Sequence, residues 1–365
     1  MATGLMRNKP RISVILGSGF SAEFGLPTTK KLSAHFLQPP NDSTLDNAIS
    51  KILKEFWKDA FGYAEGKNNT PSLEDHFTML DLSANSGHHL GREYSPRKLR
   101  AIRRMSIHRV FQILDMKYKP NEQAKRFLDV LLDKFCVSII TVNWDIVIEK
   151  ILNDRKFDYA IDVQWLNGSQ SRSGESVLLL KMHGSSNWVY CDSCRKIHAG
   201  LDDKSALRMK AFLEADDFEL FNLSQKDINS IQKELEDTND RLCQICGNRL
   251  AGRLATFSYT KFFAISQFQT IWERAHDALR SADSWLFVGY SMPQADYEFK
   301  HLLKSAQLGR KEPNRWSSEV ILRKDKQAQN QYEQFFGNSH VKIHQYGLKQ
   351  WVKKRLDTFV NEKGG

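Results

Sequence analysis

The sequence predicts an α/β protein built on a doubly wound, Rossmann-like parallel sheet, with a helical insertion and a small four-cysteine zinc module. Three observations carry this. Short aliphatic, β-rich runs alternate with helical stretches along the chain. Glycine or polar residues stand at the ends of four of those runs, at Gly17, Asn143, His183 and Gly289. Two Cys-x-x-Cys pairs, Cys191/Cys194 and Cys243/Cys246, interrupt the series. Strands that are aliphatic throughout and separated by helices belong in a sheet covered on both faces, and ligands of such sheets bind outside the carboxyl ends of the strands.

Taken in order, Arg11 to Leu16 reads as a first strand entering the turn Gly17-Ser18-Gly19, and Thr28-Thr29 suits the cap of a helix from Lys30 to Leu37. From Asp46 to Lys134 the pattern is mostly helical, with breaks at Gly66 to Pro71, Asn85 to Gly91 and Lys119-Pro120. This is an insertion of about 46–134 covering one face. Cys136 to Val142 is a β-branched strand, and Trp144 to Leu152 is helical. Val177 to Met182 is the next strand, after a polar surface loop from Asn167 to Glu175. A helix from about Ile265 to Ser281 leads into strand Ser284 to Val288 and a helix over Tyr297 to Ser305. Strand Glu319 to Leu322, helix Gln329 to Phe336, strand Val341 to His344 and an amphipathic helix Leu348 to Val360 close the series.

The 365 residues suffice for a full core, and 41% hydrophobic with 26% charged residues excludes wholesale disorder. There is no run of about 18 apolar residues, and Met1 to Pro10 lacks the apolar middle of a signal peptide. The expectation is a cytoplasmic protein with no membrane contact. Thiols there stay reduced, so four of the five cysteines, in two pairs, read as a metal site before they read as disulfides. The fifth, Cys136, lies in an apolar run and is expected in the core. The formal charge of +10 favours acidic partners, and Arg97 to Arg104 is the clearest basic run. It lacks the interleaved aromatics on which bases stack, so a solvated face is the plainer reading of it than a nucleic-acid contact.

Gly17-Ser18-Gly19-Phe20-Ser21-Ala22 fits the Gly-x-Gly-x-x-Ala dinucleotide fingerprint, in which missing side chains let backbone N–H groups approach a pyrophosphate. Gly25-Leu26-Pro27 follows too closely for the long helix that usually comes next, so this loop departs from a plain strand-turn-helix. Asn143 and Asp145 put an amide and a carboxylate at the end of the second strand, for polar recognition or, at Asn143, for a helix cap. His183-Gly184 ends the next one, where an imidazole can serve as a base near neutral pH or can be structural. Gly289-Tyr290-Ser291-Met292-Pro293 with Asp296 closes another strand. Ser291 there suits a phosphate or ribose, and Asp325 is a weaker candidate for the adenosine ribose. Four thiolates at Cys191, Cys194, Cys243 and Cys246 suit a closed tetrahedral zinc site, with the acidic, helix-like stretch Leu201 to Asp240 inserted within the module.

In this order GSGFS with GLP, TVNWD, KMHGS, the cysteine pairs and GYSMP resemble the glycine loop, Thr-Gln-Asn-Ile-Asp, His-Gly, zinc ribbon and Gly-Thr-Ser segments of the sirtuin family. The wording is closer to the prokaryotic sirtuin-like proteins of anti-phage defence than to the deacylases. The resemblance implies a dinucleotide-binding domain over 1–188 and 253–365 and a zinc module over 189–252. It implies NAD⁺ as substrate and zinc as a structural ion, with Asn143 and His183 catalytic. Asp145 would meet the nicotinamide carboxamide, the loop from Gly17 through Ser18, Gly19 and Phe20 to Ser21 would hold the pyrophosphate, and Gly289 with Ser291 would lie near a phosphate. Where the deacylases continue Asp-Phe-Arg after the proline, this chain has Thr28-Thr29-Lys30. That departure shifts the expected activity from acyl transfer to NAD⁺ hydrolysis, giving nicotinamide and ADP-ribose. The alternatives are an NAD-dependent lysine deacylase and a non-catalytic sensor of NAD⁺ or ADP-ribose. Homo-oligomers, or a defence partner such as an ATPase, are the expected assemblies.

Overall fold

Six of the seven strands of the main sheet lie where the aliphatic runs predict them. The computed structural model describes residues 9–66, 69–115, 118–155, 159–160, 164–165, 177–191, 193–199, 213–236, 242–243, 245–248, 250, 266–311, 316–337 and 339–364. Strands β1 (Arg11–Leu16), β2 (Cys136–Thr141), β3 (Tyr159–Ala160), β5 (Val177–Lys181), β8 (Ser284–Val288), β9 (Ser318–Ile321) and β10 (Val341–His344) form one sheet in the order β10-β9-β8-β1-β2-β5-β3. Every neighbouring pair in it is parallel. From β1 the chain steps to β2 on one side and later to β8 on the other, so the topological switch point falls at the carboxyl ends of β1 and its neighbours.

The period of two along each strand divides the interior into two cores. Ile12, Val14 and Leu16 of β1 and Leu286 and Val288 of β8 face one, while Ile15, Trp285 and Phe287 face the other. Val14 and Ile15 have no exposed surface, and full burial of such a side chain contributes roughly 1.5–3 kcal/mol. The first core lies under α2 (Thr29–Phe36), α3 (Thr44–Phe61), α4 (Leu73–Ser86), α5 (Pro96–Asp115) and α6 (Glu122–Lys134), joined by the C-terminal helices α13 (Gly347–Lys354) and α14 (Leu356–Lys363). The second lies under α10 (Ser266–Ser281), α11 (Tyr297–Leu308) and α12 (Lys326–Phe336). Helices on both faces make the sheet doubly wound, as the alternating pattern predicts. Inside the helical layer Trp57 Nε1 donates to His76 Nδ1 at 2.9 Å, and buried Arg109 donates to Gln38 O and Asp46 O. Burial drops the His76 pKa to about 3, so it stays neutral in that lattice.

Three expectations change. Cys136 is exposed, because it opens β2 opposite Arg11 at the amino edge of the sheet rather than in its middle. The last helix is two helices, since Arg355 leaves helical geometry (φ −129°, ψ −26°) and directs its guanidinium to Glu319 on β9. The acidic stretch between the cysteine pairs does not stay beside them. Its helices α8 (Ala215–Phe218) and α9 (Gln225–Glu236) pack on α5 and α3, where Leu213, Phe218, Ile231 and Leu235 join the first core. The loop from Asn167 to Glu175 and the start of the helix at Ile265 lie outside the described residues. Among the described residues no helix is long and apolar enough to cross a membrane.

Candidate functional site

Two glycine loops meet at the switch point, and their contact is backbone on backbone. Gly17 N donates to Val288 O at 3.0 Å and Gly19 N to Gly289 O at 2.9 Å. A Cβ on Gly17 would lie 2.5 Å from Tyr290 Cα, and one on Gly19 would lie 2.6 Å from Gly289 Cα. Gly289 has φ +65°, and a Cβ there would meet Phe20 N at 2.3 Å. No side chain fits at this seam. The absence of side chains therefore serves first to seal β1 to β8. The amides of Gly17 and Gly19 are engaged there, which corrects the expectation that they are open to a pyrophosphate. The Phe20 ring packs in the core against Phe24, with centroids 5.4 Å apart, and Ser21 is buried behind the loop. After one helical turn, α1 (Ser18–Ser21), and a 3₁₀ turn over Ala22–Phe24, Gly25 at φ 87° ends the segment before Pro27. The proline's effect is the predicted one.

Beyond the seam lie two adjoining cavities. The first, of about 70 Å³, is lined by Ser18, Asn143, Asp145, His183, Ser291 and Asp296. The second, of about 550 Å³, is lined by Gly19, Gly289, Arg323, Lys324 and Asp325. Ser18, Thr29, Glu74 and Ser291 line both. The structure thus gathers most of the sequence-predicted site residues, from the ends of β1, β2, β5, β8 and β9, around one continuous space. Gly17, Phe20 and Ser21 stand behind it. Asp325 borders it while its Oδ1 accepts from Ala328 N at 3.0 Å, capping α12. That cap accounts for the aspartate by itself.

Ser21 ties the second strand end to the glycine loop. Its Oγ donates to Asp145 Oδ2 at 2.7 Å and accepts from Asn143 Nδ2 at 3.0 Å, fixing the amide's orientation. The other Asp145 oxygen accepts from Val147 N at 3.1 Å, at the start of α7 (Val147–Asp154). The first amide of α7 is therefore taken by Asp145 and not by Asn143, whose amide nitrogen is held by Ser21 while the side chain borders the cavity. Behind them Lys181, fully buried, donates to Asp145 O and to Glu149 Oε1, the latter at 2.7 Å, and Ser185 Oγ reaches the same Glu149 oxygen at 3.1 Å. A buried lysine with a paired carboxylate and a satisfied carbonyl holds the backbone on either side of Asn143 and His183.

His183 is 3% exposed, and its Nε2 lies 3.4 Å from Asp296 Oδ1. Asp296 Oδ2 accepts from Tyr290 Oη at 3.1 Å, and Tyr332 Oη donates to Tyr290 O at 2.9 Å. Sequence reasoning placed Asp296 at a strand end without assigning it a role, and it missed Glu74 altogether. Asp296 offered a signal, a carboxylate where a helix begins. Glu74 offered none, because it comes from the first turn of α4, in the helical insertion and outside every motif of the crevice.

The cysteine pairs converge as predicted. Strand β6 (Trp188–Cys191) turns antiparallel into β7 (Lys196–Ala199), which also pairs with β4 (Gln164–Trp165). The four Sγ atoms lie within 4.8 Å of one another, with Cys191–Cys246 at 3.5 Å and Cys194–Cys243 at 3.8 Å. Sulfurs at the corners of a tetrahedron with metal bonds of 2.3 Å stand ~3.8 Å apart, so the cluster has the dimensions of a thiolate metal site. Cys194 N to Cys191 Sγ and Asn248 Nδ2 to Cys246 Sγ supply the N–H donors that stabilise thiolates.

The basic run is partly internal. Arg103 pairs with Asp81 at 2.5 Å and Arg104 with Asp217, while Arg97 and Arg100 are exposed on α5. Two of the run's five basic residues are thus neutralised by the protein's own carboxylates.

A family model described as a SIR2-like domain matches residues 137–344, more than half of the chain. Among solved structures, a Sir2 enzyme is 14% identical, with 97% of this chain and 94% of that one covered at a TM-score of 0.43. A Sir2 in complex with a p53 peptide and NAD⁺ is 13% identical, with 96% and 94% covered at 0.42. No curated protein matches the chain.

Proposed function

Starting from the chain's membership of the SIR2-like family, which the match over residues 137–344 establishes, we propose that it is an NAD⁺ hydrolase that releases nicotinamide and ADP-ribose. The observation that carries this reading is the convergence of Asn143 and His183 on one cavity that continues into a larger one across the switch point. A ligand of two unequal halves suits that space. The nicotinamide riboside end belongs in the first cavity and the adenosine end in the second, beside Arg323 and Lys324.

Cleavage of the bond between nicotinamide and ribose expels a neutral ring and builds positive charge on the sugar, so no acid is needed at the leaving group. Placement and charge do the work. Asn143, oriented by Ser21, positions the ribose or the attacking water. His183 hydrogen-bonds a ribose hydroxyl and takes the proton from water. Each oxygen of Asp145 keeps a second lone pair beyond its contacts to Ser21 and Val147, so the carboxylate can still accept from the nicotinamide amide. Within the glycine loop, Ser18 and the open side of Gly19 are the groups that reach a pyrophosphate, with Ser291 opposite. Thr29, where the deacylases carry their lid, offers the junction of the cavities a hydroxyl. This supports water as the acceptor in place of an acyl-lysine. The closer wording of the motifs to defence proteins extends the proposal to anti-phage action, in oligomers or with a partner such as an ATPase.

Zinc is the ion proposed for the cysteine cluster, as a scaffold with no part in the chemistry. Elemental analysis should find one zinc per chain, lost in Cys243→Ser. The activity is tested by incubating the protein with NAD⁺ and no peptide, alongside Asn143→Ala and His183→Ala. Nicotinamide release in the first and its loss in both variants is the expected result, and retained release in either variant refutes that residue's role.

A further inference from the structure

Asp296 is an aspartate at the start of a helix, and the ordinary reading of such a residue is a cap for the first free amides. It does not act as one. Asp296 is the N-cap residue of α11, yet its side chain makes no cap hydrogen bond. The carboxylate instead turns under the crevice, where it is nearly buried, with Oδ1 3.4 Å from His183 Nε2 and Oδ2 accepting from Tyr290 Oη at 3.1 Å. A buried carboxylate costs several kcal/mol unless it is held by donors, so this arrangement has to be built deliberately by its surroundings.

We infer that Asp296 is the positioning residue for His183: its carboxylate, at ion-pair distance from Nε2 (3.4 Å), attracts that edge of the imidazole electrostatically, so that the other ring nitrogen is presented to the ribose and the attacking water. This rests on the NAD⁺-cleaving reading above. The frame behind the carboxylate is rigid. Tyr290 is fully buried, and burial, followed by the charge of Asp296, pushes its phenol well above the ordinary value, so it remains a donor at every working pH. Its backbone is fixed in turn by the Tyr332 hydroxyl. The amino end of α11 supplies a positive potential that favours the ionised carboxylate. A base whose ring is oriented by a third group is the recurring arrangement for activating a nucleophile. Other ionisable groups share this region. Glu74 from α4 and Asp145 from the turn after β2 line the same cavity, and Lys181, at the end of β5, is paired with Glu149.

The test reads the imidazole directly and needs no turnover. The protein is produced with ¹³C-labelled histidine, the His183 ring resonance is assigned by its absence in His183→Ala, and the apo protein is titrated by NMR. In Asp296→Asn the midpoint for His183 should fall by about one pH unit, because the anion that favours imidazolium is gone. In Asp296→Glu, which keeps the charge, it should stay near that of the wild type. Tyr290→Phe removes the carboxylate's other donor and should move the midpoint upward; it also decides the matter if Asp296→Asn does not fold. Turnover of NAD⁺ by Asp296→Asn should fall by about 10²-fold or more with little change in KM, and the acid limb of its pH profile should move to lower pH. An unchanged His183 midpoint in Asp296→Asn, or in Tyr290→Phe if the former is unfolded, overturns the inference, because a merely structural aspartate would lower the unfolding temperature without touching the titration. Full turnover in His183→Ala would instead refute the catalytic role of His183, and cleavage by the wild type only when an acyl-lysine peptide is present would overturn the hydrolase reading itself.

Discussion

Two histidine–carboxylate pairs stand at opposite parts of the same sheet and use the same chemistry to different ends. At the end of β10, His344 Nε2 meets Glu319 Oε2 at 2.8 Å, and its Nδ1 meets Tyr346 Oη at 2.9 Å. Both ring nitrogens are occupied, and Arg355 closes the cluster by donating to Glu319 Oε1 at 2.6 Å. At the end of β5, His183 has Asp296 at 3.4 Å on one nitrogen and borders a cavity. The first pair fastens the C-terminal helices to β9. The second leaves a ring within reach of a ligand. What separates them is access to a cavity, since burial and a neighbouring carboxylate are common to both.

The comparison breaks most sharply under His183→Ala. NAD⁺ turnover should fall by about 10²–10⁴-fold, with the thermal unfolding midpoint moving by a few degrees at most. The mirror experiment is Glu319→Gln, which takes the carboxylate from His344 and Arg355 while Glu362 still pairs with the guanidinium. It should cost about 1.5–3 kcal/mol in urea unfolding, the loss of hydrogen bonds to a charged group, and leave the KM for NAD⁺ unchanged. A change in KM there would mean that the fastening also shapes the second cavity.

Acid should sharpen the same contrast. Burial pushes the Glu319 carboxyl up, but hydrogen bonds from His344 and Arg355 outweigh it and hold the group at about 2, below its ordinary 4.5. A carboxyl depressed on folding gives stability that is complete above the unfolded value and drains away as pH falls through the folded one. The stability gap between wild type and Glu319→Gln, measured by urea melts, should therefore be constant above about pH 5 and close progressively between pH 4.5 and 2. The smallest effect expected is that of Asp325→Ala. Losing the cap of α12 should cost about 1 kcal/mol with KM for NAD⁺ unchanged, whereas a ribose ligand would show itself as a raised KM.

Much of this was legible because it is local. Arg11 to Leu16, Ser284 to Val288 and Val341 to His344 are aliphatic runs whose bounds the structure reproduces, and the residues at strand ends followed once the sheet was read as parallel. What was not legible depends on pairs far apart in the chain. Gly17 and Gly289 need their missing side chains for each other, across about 270 residues, so a fingerprint reading assigned that need to a phosphate. Arg104 meets Asp217, and Ile231 joins the core under α3, because the stretch between the cysteine pairs folds back onto the helical layer. Cys136 looked internal from its neighbours, but the first residue of a strand sits at the sheet's rim. Asp296 carried the signature of a cap, and only its placement beside His183 separates it from one.

The central claim is that water is the acceptor at the ribose. It is tested most directly by supplying NAD⁺ in ¹⁸O-enriched water with no peptide present and reading the product by mass spectrometry. The account predicts nicotinamide together with ADP-ribose carrying one ¹⁸O atom. Cleavage that starts only when an acyl-lysine peptide is added, with the acyl group ending on ADP-ribose, would contradict it.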